Sequence, residues 1–355
     1  MNIEKLQEKI GDIADCGIIT SDVNRRYFTG MKSSAGTLLV FAEKVYFIID
    51  FRYIEKARKL FENSDIEVVL QDNLFNQINE LLVRHNAENI AIESDWCSVA
   101  QLGKYRENLK AKVLDDNRFS DAVNSLRMVK TDAEIEKIIS AQRIAEKGFE
   151  HMLDYIKVGR AEKEIQLELD YFMLKNGAEA LSFDTIALSG KNTSLPHGVP
   201  SDKKVENGDF VLLDFGAVVD GYHSDMTRTV CVGEPDDEMR KIYDIVLKAQ
   251  LASLETVKAG IIGTDLDKTA RDIIKNAGYG ECFGHSLGHG VGVEIHELPN
   301  ASPRYNKPIL ENSIVTIEPG IYIPDKFGVR IEDFVVVKAD GCFNMTKSPK
   351  NLIVL

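Results

Sequence analysis

Residues 211–230, VLLDFGAVVDGYHSDMTRTV, constrain the fold more than any other segment of the sequence. Apolar and polar residues alternate on both sides of Asp220-Gly221, a dipeptide typical of the two-residue turn of a β-hairpin. This alternation has the period of a strand and not that of a helix. The segment therefore predicts two antiparallel strands joined at Asp220-Gly221, with apolar flanks that are buried on both faces.

Two acids of this hairpin are candidates for metal binding. The predicted turn sets Gly216 opposite Asp225, and Asp214 shares a face with Gly216 because side chains alternate along a strand. Asp214 and Asp225 are then diagonal neighbours with Cβ atoms roughly 7 Å apart. An acid between buried flanks is costly unless it is paired or binds a metal, and Gly216 leaves room for a cation. Ordinary acids on a solvated face are the alternative.

A second segment, IVTIEPGIYIPDKFGVRIEDFVVV at residues 314–337, has the same character. Glu318 and Glu332 lie in strongly β-forming runs that PDKFG can join as a hairpin. Buried charges are rare without partners, and four carboxylates in one apolar site would raise one another's pKa values. Two divalent cations would bring the formal charge of the four acids to zero, which favours a site for two metal ions.

Three of the seven histidines, His285, His289 and His296, lie in one segment, GHSLGHGVGVEIHELP. Its glycines disfavour the helix that carries the H-E-x-x-H pair of zinc proteases. A set of carboxylates with one imidazole suits Mn²⁺, Co²⁺ or Zn²⁺. The segment predicts that one histidine completes the metal site while the others face the substrate. Histidines with ordinary core or loop roles are the alternative.

The length of 355 residues predicts two domains. Early in the chain, short apolar runs such as TLLVFA, VYFIID and NIAIE alternate with helical stretches such as YIEKARKLFEN, as in an α/β domain. Thr131 and Glu134 have the spacing of a capping box at the start of a long helix. The predicted boundary separates an N-terminal domain, residues 1–121, from a second domain, residues 122–355.

The second domain is predicted to repeat its own plan, which makes the fold class α+β. In each half a long helix and a shorter helix precede a pair of strands that carries two acids. A glycine just beyond the apolar-periodic residues marks where each helix ends. The predicted long helices are 133–158 and 236–258, and the terminating glycines are Gly159, Gly177, Gly260 and Gly278. Two such halves packed face to face would gather the four acids at one central site.

Composition and charge exclude several classes of protein. The net charge of -13 argues against a nucleic-acid partner. No apolar run has the length of a membrane span, and the N-terminus lacks the basic start and apolar stretch of an export signal. The five cysteines are scattered and none forms a C-x-x-C pair, so a cytoplasmic protein with reduced thiols is expected.

The second domain resembles the prolidase and aminopeptidase P family, whose catalytic domain has the pseudo-symmetric pita-bread fold shared with methionine aminopeptidase. The family pattern H-x-x-G-H-G-x-G-x-x-x-H-E is matched by HSLGHGVGVEIHE, residues 285–297. The segments DFG, GYHSDMTRT, IEPGIY and RIED match as well, and LPHG at 195–198 matches a loop with another active-site histidine. In the first domain the resemblance is weaker and rests on RRYFTG and DFRY.

The resemblance implies a role for each candidate residue. The implied metal ligands are Asp214, Asp225, His289, Glu318 and Glu332, with Asp225 and Glu332 bridging two ions. The implied catalytic residues are Glu318, which moves the proton of the attacking water, and His197 and His296, which stabilise the tetrahedral intermediate. His285, Tyr222 and Arg330 are implied to contact the substrate or support the ligands, with simple packing of Tyr222 and charge neutralisation by Arg330 as alternatives. His151 and His223 have no implied role and are expected to face solvent.

The resemblance also implies the activity, the cofactors and the partners. We expect a metallo-exopeptidase that removes the residue before proline from small peptides, with two divalent ions per chain, Mn²⁺ before Co²⁺ or Zn²⁺, and a homodimer. Two substrate modes stay open: a dipeptidase that splits X-Pro and an aminopeptidase that accepts longer peptides. A cation that captures the proline carboxylate, for which Arg52 is a candidate, would distinguish them.

Three other activities are disfavoured. A methionine aminopeptidase needs only the catalytic domain, so the additional first domain argues against one. Creatinase-like hydrolysis and a catalytically inactive binding module are disfavoured by the complete set of five ligands.

Overall fold

A computed structural model describes residues 2–355. They form two compact units, the first ending at Arg127 and the second being Met128–Leu355. The division lies a few residues later than the sequence predicted, because the helix Arg118–Met128 buries Phe119 in the core of the first unit.

The first unit is an α/β domain, as predicted. Its helices are α1 (Asn2–Ile10), α2 (Asp22–Thr29), α3 (Ile54–Phe61), α4 (Leu74–Arg84), α5 (Val99–Asn108) and α6 (Arg118–Met128). Its strands are β1 (Cys16–Ile19), β2 (Thr37–Val40), β3 (Val45–Ile49), β4 (Ile66–Leu70), β5 (Asn89–Ile92) and β6 (Lys112–Leu114). Residues 2–127 join these strands in one sheet of order β4-β3-β2-β1-β5-β6, in which only the β1–β2 and β2–β3 pairs are antiparallel.

Helices cover both faces of this sheet. Side chains alternate along a strand, so neighbouring residues of β3 enter different cores. Phe47 packs with α1, α2, α3 and α6, whereas Ile48 packs with α4 and α5. Burial on both faces explains why β1, β2 and β3 read as continuous apolar runs.

The second unit has the predicted two halves. The first half contains α7 (Asp132–Tyr155), α8 (Glu162–Lys175), β7 (Ala180–Leu181), β8 (Ile186–Ser189), β9 (Asp209–Phe215), β10 (Ala217–Val219), β11 (Tyr222–His223) and β12 (Met226–Val232). The second half contains α9 (Asp237–Thr256), α10 (Gly263–Asn276), β13 (Gly288–Gly290), β14 (Glu297–Ala301), β15 (Ile314–Ile317), β16 (Gly320–Ile323), β17 (Phe327–Arg330), β18 (Asp333–Lys338) and β19 (Gly341–Asn344).

The predicted helix signals are confirmed in both halves. Thr131 and Glu134 form a capping box at the start of α7. The glycines predicted to terminate the four helices all have positive φ, a conformation that glycine adopts without strain. These glycines are Gly159, Gly177, Gly260 and Gly278.

The first hairpin forms around Asp220-Gly221, as predicted. Both turn residues have positive φ, at 49° and 83°, which is the signature of a type I′ turn. β10 and β11 pair in the same register as β9 and β12, with a break between them at Gly216 and Asp225. A Cβ at Gly216 would lie 1.9 Å from the carbonyl oxygen of Ser224, so this position needs glycine.

The second hairpin has the same interrupted construction. Ile317 of β15 pairs with Asp333 of β18, and Gly320 of β16 pairs with Arg330 of β17. The unchanged register places Glu318 opposite Glu332 in the break between these strands. All four acids therefore lie at or next to the break of a hairpin.

Strand alternation also turns the acids away from the helices of their own half. Leu213 and Phe215 of β9 pack in the core formed with α7 and α8, so Asp214 between them faces the other way. Ile317 packs in the core formed with α9 and α10, and Glu318 beside it faces the opposite side of the strand. No helix within residues 2–355 is both long and apolar enough to cross a membrane.

Candidate active site

A cavity of about 850 Å³ opens where the two hairpins meet. It is lined by carboxylates from both hairpins, by the glycine-rich histidine segment and by the loop that follows β8. The predicted site residues that line it are Asp214, Asp225, His289, Glu318, Glu332, His197, His296, His285 and Arg330. Tyr222 does not line it.

His289 points its Nε2 atom at the acids. Its Nδ1 lies 3.1 Å from the carbonyl oxygen of Gly290, which can only accept, so Nδ1 carries the proton and Nε2 offers a lone pair. Nε2 lies 3.3 Å from Oε1 of Glu318 and 3.6 Å from Oδ2 of Asp225. Burial lowers the pKa of His289 to about 4, with a further contribution from His296, so the ring is neutral at pH 7.

The carboxylates are crowded, with Asp225 and Glu332 buried and Asp214 and Glu318 half-buried. Potential ligand atoms of Asp225, His289 and Glu332 all lie within 4.8 Å of one another. Burial, and then the charge of Asp214, raises the pKa of Asp225 well above its ordinary value. Burial, and then the charge of Asp225, raises that of Glu332, and burial raises the pKa of Glu318 to about 8 against the opposing effect of Arg330.

Two oxygens of this cluster have no hydrogen-bond donor among residues 2–355. They are Oδ1 of Asp214 and Oε1 of Glu332, and both are buried. Buried acceptors without donors are rare in folded proteins, and a bound cation would satisfy both oxygens. Four carboxylates and one neutral imidazole are a donor set for divalent ions such as Mn²⁺, Co²⁺ or Zn²⁺, so these residues fit a metal centre.

Arg330 lies in the second hairpin and donates hydrogen bonds to two side chains of the first hairpin. Its Nη2 donates to Oδ2 of Asp214 at 2.5 Å, and its Nε donates to Oγ1 of Thr227 at 3.0 Å. Thr227 in turn donates its hydroxyl to Oε2 of Glu332 at 2.7 Å. Each hairpin therefore supplies a donor that orients a carboxylate of the other hairpin.

Tyr322 contacts two residues that line the cavity, and the sequence analysis missed it. Its hydroxyl accepts a hydrogen bond from Nη1 of Arg330 at 2.6 Å and lies 3.0 Å from Nε2 of His285. Nδ1 of His285 donates to the carbonyl of Ser286, so Nε2 accepts the tyrosine proton. Tyr322 lies four residues after Glu318 in a segment of β character, and strand alternation alone would have placed both on one face.

The remaining two histidines of the predicted site lie on different segments. His296 is exposed, and its ring centroid lies 4.3 Å from that of His289. Burial lowers the pKa of His296, which Asp214 partly opposes. His197 is exposed at the tip of the loop after β8.

A buried ion pair fixes the turn beside His296, and the sequence analysis missed this contact too. Nζ of Lys130 lies 2.6 Å from Oε1 of Glu297, with side-chain exposures of 2% and 5%. Glu297 directly follows His296 in the chain, whereas Lys130 precedes α7. A separation of 167 residues explains why no local pattern reveals the pair.

The structure places Tyr222, His151 and His223 away from the expected positions. Tyr222 is buried and donates its hydroxyl to Oε1 of Glu134 at 2.9 Å, so it packs against α7 and does not face the cavity. His151 and His223 are half-buried and not solvent-facing. The Nε2 atom of His151 lies 2.7 Å from Oε1 of Glu168, and Nδ1 of His223 lies 3.1 Å from the Ser182 hydroxyl.

Arg52, the candidate for carboxylate capture, belongs to the first unit. Its side chain is exposed and forms an ion pair of 2.6 Å with Asp50. The guanidinium therefore already has a carboxylate partner within its own unit.

Comparison with known proteins follows the same division of the chain. Residues 136–339 match metallopeptidase family M24, and residues 3–129 match the creatinase/prolidase N-terminal domain. The chain belongs to metallopeptidase family M24. Its resemblance to prolidase and aminopeptidase P is thereby confirmed, and the match of residues 136–339 covers more than half of this M24 chain.

Relatives of this M24 chain share nearly its whole length. A protein of Pyrococcus furiosus named Xaa-Pro dipeptidase is 41% identical over 94% of this chain and 94% of its own. The solved structure of an Xaa-Pro dipeptidase from Bacillus anthracis has a TM-score of 0.95 at 41% identity, covering 100% and 99% of the two chains. That of an X-Pro aminopeptidase from Thermotoga maritima has a TM-score of 0.89 at 39% identity, covering 98% and 99%.

Proposed function

We propose that this M24 chain hydrolyses the peptide bond between an N-terminal residue and a following proline. The observation that carries the proposal is the cluster of four crowded acids with the neutral His289, in which two buried oxygens lack donors. The similarity to proteins named Xaa-Pro dipeptidase and X-Pro aminopeptidase supports the choice of bond. The N-terminal domain matched over residues 3–129 argues against a methionine aminopeptidase, which needs only the catalytic domain.

The proposed ligands are Asp214, Asp225, His289, Glu318 and Glu332. Two divalent ions, Mn²⁺ before Co²⁺ or Zn²⁺, would balance the charge of the four carboxylates and supply Lewis acidity to a water molecule and to the substrate carbonyl. Arg330 and Thr227 orient two of these carboxylates by direct hydrogen bonds. This orientation in the protein favours binding because the ligands need little rearrangement.

Glu318 is the proposed proton carrier. It takes a proton from the attacking water and delivers it to the leaving nitrogen. When that nitrogen belongs to proline, the amide is tertiary and has no proton of its own, so protonation is needed for departure. Support comes from its place in the cavity, with Oε1 3.3 Å from Nε2 of His289.

His296 and His197 are proposed to stabilise the charge that develops on the carbonyl oxygen. Both line the cavity, and neither belongs to the proposed ligand set. Hydrogen-bond donors aimed at a developing oxyanion act in the transition state more than in the ground state, and so raise the catalytic rate.

The charged side chains of the cavity wall affect which length of substrate peptide can bind. Among the described residues that line the cavity, Arg330 is the only arginine or lysine. Its guanidinium already donates to Asp214, Tyr322 and Thr227. No uncommitted cation of this wall can pair with the free carboxylate of an X-Pro dipeptide, so we propose that X-Pro peptides of three or more residues are preferred.

Cleavage assays test the activity and the length preference together. The metal-free protein is loaded in turn with Mn²⁺, Co²⁺ or Zn²⁺ and given Ala-Pro, Ala-Pro-Ala and the control Ala-Ala-Ala. Release of alanine from Ala-Pro-Ala in preference to Ala-Ala-Ala is expected, with slower cleavage of Ala-Pro. Cleavage of neither proline peptide with any metal would overturn the activity, and faster cleavage of Ala-Pro would overturn only the length preference.

We also propose a homodimer in the cytoplasm. The family resemblance supports the dimer, as do the apolar side chains of Phe51 and Val99, which are 83% and 87% exposed. All five cysteines are free, which suits a reducing compartment. Sedimentation showing only monomer at working concentration would contradict the dimer.

A further inference from the structure

His197 lies in a loop, residues 190–201, and its imidazole must be held in place if it is to act in the cavity. His197 is exposed, and within residues 2–355 no hydrogen bond or ring contact holds its imidazole. The place of this ring in the cavity wall is therefore set by the backbone of the loop. A residue that fixes both ends of the loop fixes His197.

Glu162 makes contacts at both ends of the loop. This carboxylate is fully buried at the start of α8. Its Oε1 accepts from the backbone N–H of Ser189 at 2.7 Å and from the Ser189 hydroxyl at 3.1 Å. Its Oε2 accepts from the backbone N–H of Ser201 at 3.0 Å and from the Ser201 hydroxyl at 2.6 Å.

Asn192 contacts both oxygens of the same carboxylate. Its Nδ2 lies 3.0 Å from Oε1 and 3.1 Å from Oε2 of Glu162. All contacting groups are donors, and an ionised carboxylate is the side chain that can accept from all of them at once. Ser189 and Asn192 precede His197 and Ser201 follows it, so one side chain ties the two ends of the loop together.

The second half of the catalytic unit has a similar buried carboxylate on α10, the helix that corresponds to α8. Asp267 of α10 is buried, and its Oδ1 accepts from the backbone N–H of Leu287 at 3.0 Å. It also pairs with Arg271, which donates to the carbonyl oxygen of His285 at 2.8 Å. In both halves a buried carboxylate of the second helix therefore holds a histidine-bearing segment.

We propose that Glu162 is a positioning residue of the peptidase reaction, acting through the loop on His197. The proposal rests on the proposed function in one respect, the contact of His197 with the substrate. The anchoring of the loop by Glu162 does not depend on any activity.

Glu162→Gln tests the anchoring. The amide keeps the shape of the side chain but turns its NH₂ group toward the backbone N–H of Ser189 or Ser201 and toward Nδ2 of Asn192, which are donors and cannot accept in return. Glu164→Gln is the matched control, because Glu164 lies two residues further along α8, is exposed and accepts only from the backbone N–H of Ala161. Hydrogen exchange of residues 189–201 should become at least about 10-fold faster in Glu162→Gln and stay unchanged in the control.

A double-mutant cycle tests the action through His197. In the otherwise unchanged protein Glu162→Gln should lower kcat on the order of 10-fold, with the KM and the metal content unchanged. In a His197→Ala background the same substitution should change kcat by less than about 2-fold, because the group to be positioned is gone. An equal loss of kcat in both backgrounds would show a general structural effect and overturn the proposal.

The outcomes separate this inference from the proposed function. Unchanged hydrogen exchange in Glu162→Gln overturns the anchoring, whatever the activity. Faster exchange in a protein whose unmutated form cleaves no X-Pro peptide refutes the proposed function and, with it, the role of Glu162 in catalysis. If Glu162→Gln does not fold, Ser201→Ala and Asn192→Ala each remove one part of the arrangement and should show the same two effects in weaker form.

Discussion

The two halves of the catalytic unit share a construction but differ in what they contribute to chemistry. Each half has a long helix, a shorter helix and a β-hairpin whose pairing is interrupted at the acids. The first half supplies Asp214, Asp225 and His197. The second half supplies Glu318, Glu332 and all the histidines of the glycine-rich segment.

The two halves are therefore similar in their backbone structure, but their side chains have different proposed roles in the reaction. Only the second half offers a histidine whose lone pair points at the acids, because the Nδ1 proton of His289 is held by Gly290. Arg330 of the second hairpin donates a hydrogen bond to the carboxylate of Asp214 in the first, and Thr227 of the first hairpin donates one to the carboxylate of Glu332 in the second. Neither half can hold its carboxylates in place alone.

The largest expected effect is that of metal removal, which tests whether both halves form one metal centre. Chelation should reduce peptidase activity to background, and added Mn²⁺ or Co²⁺ should restore it with two ions bound per chain. The two ions are expected because four carboxylates from two hairpins require two divalent charges. Full activity in a protein shown to be metal-free by elemental analysis would refute the claim that the two halves form a catalytic metal centre.

The next largest effect is expected for Glu318, the proposed proton carrier, which belongs to the second half. Glu318→Gln should lower kcat by about 10² or more at saturating metal, the usual scale of general acid–base catalysis. Glu311→Gln, an exposed acid on the same half, is the control and should leave kcat unchanged. Near-normal turnover of Glu318→Gln with full metal content would remove Glu318 from this role.

Local sequence patterns were sufficient for the hairpins and the helix ends. The type I′ turn at Asp220-Gly221, the capping box at Thr131 and the four terminating glycines depend on contacts between residues close in sequence. Such patterns place acids in a strand and give the register of the hairpin. They also led to the four carboxylates, since acids inside apolar strands are rare without partners.

Contacts between distant segments could not be predicted in this way. Lys130 meets Glu297, and Glu162 meets Ser189 and Ser201, only after the chain has folded. The polar residues that make these contacts are common on protein surfaces, so nothing in their own neighbourhood marks them as buried. The boundary of the first unit was placed too early for a related reason, because α6 is fixed by packing on distant strands.

A comparable loss in rate, but a clear difference in metal content, separates two histidines of the second half. His289→Ala should lose metal, because it removes one of five ligands. His296→Ala should keep two ions per chain and turn over X-Pro peptides 10²- to 10³-fold more slowly, the scale for one donor to an oxyanion. Metal content after dialysis, measured beside kcat, checks both. Equal metal loss in the two variants, or normal turnover of His296→Ala, would refute this division of labour.

The smallest effect is expected for a matched pair of tyrosines, one from each hairpin. Tyr322→Phe removes the acceptor of Arg330 and the donor to His285, and should lower kcat about 10-fold while metal content stays unchanged. Tyr222→Phe removes the hydrogen bond to Glu134, and should leave kcat within about 2-fold while lowering the free energy of unfolding by about 1 kcal/mol.

Strand alternation gives the reason for this contrast. Tyr322 lies four residues from Glu318 and shares its face, whereas Tyr222 lies three residues from Asp225 and takes the opposite face. Steady-state kinetics and thermal unfolding of the two variants check the prediction. A loss of activity in Tyr222→Phe as large as that in Tyr322→Phe would show that both hairpins, and not only the second, extend their hydrogen bonds from the carboxylates to a tyrosine.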